Sequence, residues 1–382
     1  MLTAEGCRRR IARLWDVLPE QVDWLLISDP KHVNYLSAFS ANPLSSSHGE
    51  RAFLYIERDG ESVLFCDNMT LSSSAADYFV DDVIAEQWYD HRHSVINRDH
   101  AVLKALKRIE KKLTRYTGLI EKEWFPLSTY ETIWGDRPSS KIELPSLGSV
   151  IGKLRRKKET DEIELLMHCI RSGEVGQARA REIVRPGISE FEVFRGVQSA
   201  ALESLGSPGL VYGDFRATTH SAPKQGGLPT NYVLKEGDTF ILDFSVMLNG
   251  YRSDLTNTLA VGTPSQEQRE LFQMCKAALR LGEEKLRPGA LGRDIHRAVA
   301  APFLEIDNPE LFPHHAGHGL GLGHPEPPIF VPESDDVVCA GDVVTLEPGA
   351  YKKGVGGVRI EHNYVITEEG FERLSHHVLE LD

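Results

Sequence analysis

Apolar positions in the first 150 residues fall into short runs separated by polar turns. The segments WLLIS at 24–28, FLYIE at 53–57 and SVLFC at 62–66 predict strands. Asp59-Gly60 between the last two predicts a tight hairpin. Serine-rich stretches at 45–47 and 72–74 predict loops on either side of it. The opening MLTAEGCRRRIARLWDVL has the spacing of an amphipathic helix and lacks the long apolar core of a signal peptide. A basic run, KLRRKKETDEIELL at 153–166, reads as a solvated stretch leading into a long helical pattern that begins near Thr160. These features divide the chain into domains at 1–154 and 155–382.

The second half repeats itself. A helical pattern ends at Arg185-Pro186-Gly187, and another starts with a capping box of Ser189 and Glu192. About a hundred residues later a helix opens with Thr263 as cap and Pro264 at its first position. It ends at Arg287-Pro288-Gly289, and a fourth helix follows. The strands repeat too: GDTFILDF at 237–244 corresponds to GDVVTLEP at 341–348, and GYRSD at 250–254 to GVRIE at 357–361. Each copy is helix, helix, strand, strand, with acids at matching places: Asp243 and Asp254 in one, Glu347 and Glu361 in the other. The predicted class is mixed α/β (α+β) with an internal pseudo-two-fold repeat in the second domain.

Composition narrows the function. The 382 residues are 41% hydrophobic and 26% charged, as in ordinary globular proteins. The formal net charge of −13 disfavours a nucleic-acid partner. Cys7, Cys66, Cys169, Cys275 and Cys339 are scattered and odd in number, which suits reduced thiols in a cytoplasmic protein. No run is long enough to predict a membrane span.

Acids embedded in TFILD and VVTLE belong among core residues. Four buried carboxylates repel one another and need a positive counterpart. Pairing with Arg252 and Arg359 would serve two of them. If strand alternation continues, Arg252 shares a face with Asp254, and Arg359 with Glu361, so each arginine would support a neighbouring carboxylate. Packed about a two-fold axis, the two acid pairs converge and can hold two divalent ions. The segment HHAGHGLGLGHPEPP at 314–328 adds four histidines among glycines that allow close backbone approach. His318, within Gly-His-Gly, is the expected nitrogen ligand. The set is oxygen-rich, so manganese is the expected metal, with cobalt, iron or zinc as alternatives.

At these residues the chain resembles the pita-bread metallopeptidases: methionine aminopeptidases, aminopeptidase P and Xaa-Pro dipeptidases (prolidases). That family's pattern is an Asp, a second Asp eleven residues on, a His in Gly-His-Gly, a Glu before Pro-Gly, and a Glu after Gly-Val-Arg-Ile. Asp243, Asp254, His318, Glu347 and Glu361 match all five. LEPGAY and GVRIEHNYVIT are close to the family's wording, and NYLSAF at 34–39 resembles the opening domain of prolidases and creatinases. The resemblance implies a pita-bread catalytic domain behind a smaller creatinase-like α/β domain, a homodimer, and hydrolysis of an amide by a metal-bridging hydroxide whose proton Glu347 takes.

Two positions depart from the family. Where it usually carries a histidine three residues before Pro-Thr, this chain has Gly226, with His220 six residues earlier. Where it has a histidine seven residues after the metal histidine, this chain has Pro325, preceded by His324. His324 is the expected acid–base group, with His220 and His314 contacting substrate. The expected substrate is a small peptide or small amide. A creatinase- or ectoine-hydrolase-like cleavage of a small-molecule C–N bond is the alternative enzyme. A non-catalytic binding module is the alternative class.

Overall fold

The computed structural model describes residues 1–41, 50–74, 77–135, 146–306 and 308–382. The serine stretch at 45–47 lies outside them. Two compact units divide the chain, Met1–Arg155 and Arg156–Asp382.

The first unit opens with a helix, Ala4–Val17, capped by the Thr3 side chain, which accepts from Gly6 N–H. Its mixed sheet comprises β1 (Trp24–Ile27), β2 (Ala52–Glu57), β3 (Ser62–Asp67), β4 (Asp82–Glu86) and β5 (Gly118–Ile120), in the order β4-β3-β2-β1-β5. β2 and β3 form the antiparallel hairpin across Asp59-Gly60. Trp24, Leu26, Phe53, Tyr55, Phe65 and Leu106 lie in its core. Ser72 and Ser73 are helical rather than looped. Asp67 accepts from Met69 and Thr70 N–H, and this cap starts a helix at Asn68–Ser73.

The basic run is solvated only in part: Lys153 and Lys157 are exposed, and the others turn inward. Arg156 pairs with Asp342 through two nitrogens, at 2.6 and 3.0 Å, and buried Lys158 donates to Glu326 at 2.8 Å. Buried carboxylates need these cations, so the charges turn inward.

The second unit contains two helix pairs, Thr160–Ile183 with Glu190–Leu205 and Gln266–Glu283 with Gly292–Glu305. Ser189 and Glu192 form the expected reciprocal cap. The third helix starts later than expected: its cap is Ser265, not Thr263. Ser265 and Gln268 satisfy each other's backbone N–H, whereas Thr263 N–H is taken by Glu236.

The first copy's strands are β6 (Leu210–Thr218), β7 (Thr239–Leu248), β8 (Tyr251–Arg252) and β9 (Leu255–Ala260), with β7 pairing all three others. The second copy supplies β10 (His318–Gly319), β11 (Glu326–Ile329), β12 (Val343–Leu346), β13 (Gly349–Lys352), β14 (Gly356–Arg359), β15 (His362–Ile366) and β16 (Phe371–Arg373). Five of these form a sheet in the order β11-β10-β12-β15-β16, and β13 and β14 form a separate hairpin. Leu271, Phe272, Leu279, Val299 and Phe303 from the second helix pair pack with Val344, Leu346 and Tyr364. Each such side chain contributes about 1.5–3 kcal/mol on burial.

The strands stop short of the acids. Arg252 ends β8, and Asp254 lies in a two-residue gap before β9; Arg359 ends β14, and Glu361 lies in a two-residue gap before β15. Strand alternation therefore does not relate each arginine to its acid. The gaps exist because the acids' backbones bond across the repeat. Asp254 N–H donates to Asn363 Oδ1 (3.3 Å), and Glu361 N–H donates to the Thr256 carbonyl (3.0 Å). Each acid thus reaches the residue two beyond its counterpart, as a two-fold relation requires. Among the described residues no helix is long and apolar enough to cross a membrane.

Candidate metal centre

Asp243 stands in the middle of β7, opposite Asp214 on β6 and Thr256 on β9. Its neighbours Leu242 and Phe244 point to the other face and are fully buried. Glu347 follows β12 directly, with its N–H donated to Ala316. Gly317 has φ of 152°, and a Cβ there would lie 2.0 Å from the Thr345 carbonyl oxygen. Glycine at this place lets the His318 backbone close onto β12.

The five predicted ligands form a continuous belt. Asp243, Asp254 and Glu361 offer oxygens within 4.8 Å of one another. Asp254, His318 and His324 form a second such group, and His315, His318 and Glu347 a third. His318 Nε2 is 3.5 Å from Asp254 Oδ2 and 3.3 Å from Glu347 Oε1. Its Nδ1–H donates to the Gly319 carbonyl at 2.9 Å, which turns Nε2 toward the carboxylates.

Burial and mutual repulsion set the protonation of the metal-free belt. Burial pushes the Asp243 carboxyl up to about 7; Arg359 opposes this, while Asp254, Glu347 and Asp214 add to it. Glu361 is pushed well above the carboxylate range by burial and by Asp254, Glu347 and Asp243. Burial also works against ionised Asp254 and Glu347, but the neighbouring imidazoles win and hold both below the usual range. His318 is raised to about 9: burial opposes its charge, and the Glu347 hydrogen bond and Asp254 outweigh it.

Glu361 tests whether divalent ions fit. Its Oε2 accepts from Thr256 Oγ1 at 2.7 Å, but its buried Oε1 has no hydrogen-bond partner. An orphaned buried oxygen converging with Asp243 and Asp254 suits a cation, as does this mixture of carboxylates and imidazole.

The arginines differ in their work. Arg359 donates from Nη2 to Asp243 (2.9 Å) and to Asp214 (2.8 Å). Arg252 reaches no carboxylate of the belt; its guanidinium donates to Ser245 Oγ, which in turn lies 3.4 Å from Asp254 Oδ1.

Residues 165–368 match the family described as Metallopeptidase family M24. The chain belongs to this family. Residues 10–156 match the creatinase/prolidase N-terminal domain. An uncharacterized peptidase of Staphylococcus aureus (strain USA300) is 29% identical over 389 residues, covering 96% of this chain and 99% of that protein. The Xaa-Pro dipeptidase from Bacillus anthracis superposes with a TM-score of 0.78 at 24% identity, covering 98% of this chain and 99% of that one. The prolidase from Pyrococcus horikoshii OT3 gives 0.75 at 22% identity, covering 99% and 100%. The chain is therefore a metal-dependent, peptidase-like hydrolase with the pita-bread fold behind a creatinase-like domain.

The M24 chain's departures from its family acquire a physical reason here. A Cβ at Gly226 would lie 2.8 Å from Asp214 Oδ2, so a side chain there would displace the carboxylate that holds Arg359. His220 is not brought to the belt. Its Nδ1 shares a hydrogen bond with the Gly354 carbonyl (2.5 Å), at the turn between β13 and β14. His324 is brought there: its Nε2 is 2.6 Å from Asp254 Oδ2, and its ring centroid is 4.8 Å from that of His318. The loop carrying it is fixed by Glu326, which accepts from Lys158 Nζ and Gly323 N–H. His314 lies behind the belt, sharing a hydrogen bond with Tyr351 Oη at 3.1 Å, and burial pushes its imidazole down to about 4.

Sequence reasoning ranked His315 behind His220 and His324; its Nδ1 is 3.3 Å from Glu347 Oε1 and is buried without a hydrogen bond. Its only sequence signal is its place three residues before His318. Sequence reasoning passed over Asp214 and Lys224, which no motif marks, and met Tyr351 only as the end of LEPGAY.

Proposed function

We propose that this M24 enzyme is an Xaa-Pro peptidase of the dipeptidase or aminopeptidase P kind, working with two divalent ions held by Asp243, Asp254, His318, Glu347 and Glu361. The observation that carries the reading is the belt itself: three ligand groups joined through Asp254 and His318, one of them holding the buried, unpartnered Glu361 oxygen. The ions would polarise the scissile carbonyl and lower the pKa of the attacking water. Manganese suits the oxygen-rich donors, with cobalt, iron or zinc as competitors.

The chain's own groups do the rest. Glu347 is a strong candidate to take the water's proton, since its Oε1 faces both His315 and His318. His324, with a side chain 30% exposed and its Nε2 at Asp254, would protonate the leaving amine. Arg359 and the Arg252–Ser245 pair hold Asp243 and Asp254 in position.

The Asp214 carboxylate beside Gly226 favours one second reading, hydrolysis of a C–N bond in a small molecule, because position 226 supplies no imidazole. A screen of manganese-loaded protein separates the two. Xaa-Pro dipeptides, longer Xaa-Pro peptides and cyclic or guanidino amides are offered side by side. Proline-containing peptides should be turned over best; turnover confined to the small amides would replace the peptidase reading.

A further inference from the structure

The loop between β6 and β7 is built rather than slack. Thr230 donates to buried Glu190 through its N–H (2.8 Å) and its hydroxyl (2.6 Å). Phe215 N–H donates to the Gly227 carbonyl at 3.1 Å. At the other end, the Pro223 carbonyl presses on the β13–β14 hairpin: a Cβ at Gly357 would lie 2.1 Å from it. Gly357 pairs with Tyr351, so the next residue, Lys224, is laid along the tyrosine. Lys224 Nζ is 5.5 Å from the centroid of the Tyr351 ring.

This ammonium has an unusual setting. Tyr351 is tied to His314 beside the belt, and the other nearby cation is Arg359. Arg359 already has two carboxylates, Asp214 and Asp243. Lys224 forms no ion pair among the described residues, and its side chain is exposed. Partial burial and the neighbouring arginine both lower its pKa, so the two cations disfavour each other until an anion arrives. A cation on an aromatic face keeps its position while leaving its N–H groups free to bond.

We propose that Lys224 binds the free C-terminal carboxylate of a short peptide substrate, with the Tyr351 ring holding the ammonium at the edge of the metal belt. The assignment rests on the peptidase reading above. In a dipeptide, the carboxylate of the departing residue is the one anionic group near the scissile bond. Lys224 stands in the same loop as Gly226, which offers no side chain of its own.

The test pairs two substrates, alanyl-proline and its C-terminal amide, and compares the manganese-loaded wild type with Lys224→Met and Lys224→Arg. Wild type should prefer the free acid. Lys224→Met should lose about tenfold to a hundredfold in kcat/KM on the acid, mostly through KM, and stay within about twofold on the amide. Lys224→Arg should keep most of the preference. An equal loss on both substrates, an unchanged acid preference in Lys224→Met, or a wild type indifferent to the carboxylate would each overturn the assignment while leaving the peptidase reading intact. A wild type that hydrolyses neither substrate but cleaves longer Xaa-Pro peptides would overturn the assignment alone; one that cleaves no Xaa-Pro peptide would overturn both. Unchanged melting of Lys224→Met confirms that the readout is binding rather than folding.

Discussion

Arg359 in one copy of the internal repeat donates to Asp243 in the other, at 2.9 Å. Its counterpart Arg252 makes no such return contact and works through Ser245. The symmetry of the fold is thus broken at the arginines, and Arg359 pairs directly with both Asp243 and Asp214. Removing one partner of a buried pair typically costs about 3–5 kcal/mol. Arg359→Met should therefore melt well below wild type when metal-free, and lie closer to it once ions neutralise Asp243. Calorimetric melting with and without manganese checks this; equal losses in both states would mean that Arg359 contributes packing alone.

Metal stoichiometry tests the belt. Elemental analysis of manganese-reconstituted protein should find about two ions per chain. Glu361→Ala removes the orphaned oxygen and should reduce this occupancy, as should Asp254→Ala, since Asp254 belongs to two of the ligand groups. Full occupancy in Glu361→Ala would remove the argument from the unpartnered Oε1.

The metal-free belt also fixes a sign for pH. His318 is raised from an ordinary 6.5 to about 9, so its proton contributes stability in full below 6.5 and loses it as pH rises through 9. Asp243, raised from 3.8 to about 7, behaves likewise: its contribution is complete below 3.8 and fades as pH rises through 7. Divalent ions replace these protons. The melting temperatures of metal-loaded and metal-free protein should therefore diverge as pH rises from about 6 to 8.5. Titration calorimetry at pH 8 in buffers of different ionisation enthalpy should show proton release. A constant gap and no proton release would contradict these shifts.

Much of this was legible because duplication writes the same pattern twice. The Gly-Asp-apolar-acid strands and the two Arg-x-acid segments point to Asp243, Asp254, Glu347 and Glu361 without coordinates. The histidine choices were harder. His324 stands one residue from its family position and His220 six from its own; a bond to Gly354 takes His220 to a hairpin turn, and Glu326 with Lys158 holds the His324 loop beside Asp254. Those anchors join residues more than a hundred positions apart, so local spacing carries no trace of them. Asp214 was invisible for a similar reason: its meaning comes from β6–β7 register, which sets it opposite Asp243. The strand breaks before Asp254 and Glu361 follow from backbone bonds across the repeat, again beyond local pattern.

His324 carries the last prediction. Its Nε2 is 2.6 Å from Asp254 Oδ2, and its ring packs edge-on against His318 at 4.8 Å between centroids. Two roles are compatible with that contact: holding Asp254 in place, or passing a proton to the leaving amine. They separate in variants. His324→Ala should lower kcat by roughly 10², the usual scale for an acid–base group, while Asp243, Asp254, His318, Glu347 and Glu361 keep both ions. His324→Gln retains a hydrogen-bond donor for Asp254 but cannot transfer a proton, so it should be as slow as the alanine variant. With its side chain 30% exposed, His324 leaves a void open to solvent when removed, and added imidazole should restore part of the alanine variant's turnover. Steady-state kinetics and metal analysis on the same samples decide the matter. Recovery of full activity in His324→Gln would assign the residue to positioning Asp254, and the proton would then have to come from another group at the belt, with His315 the nearest to Glu347.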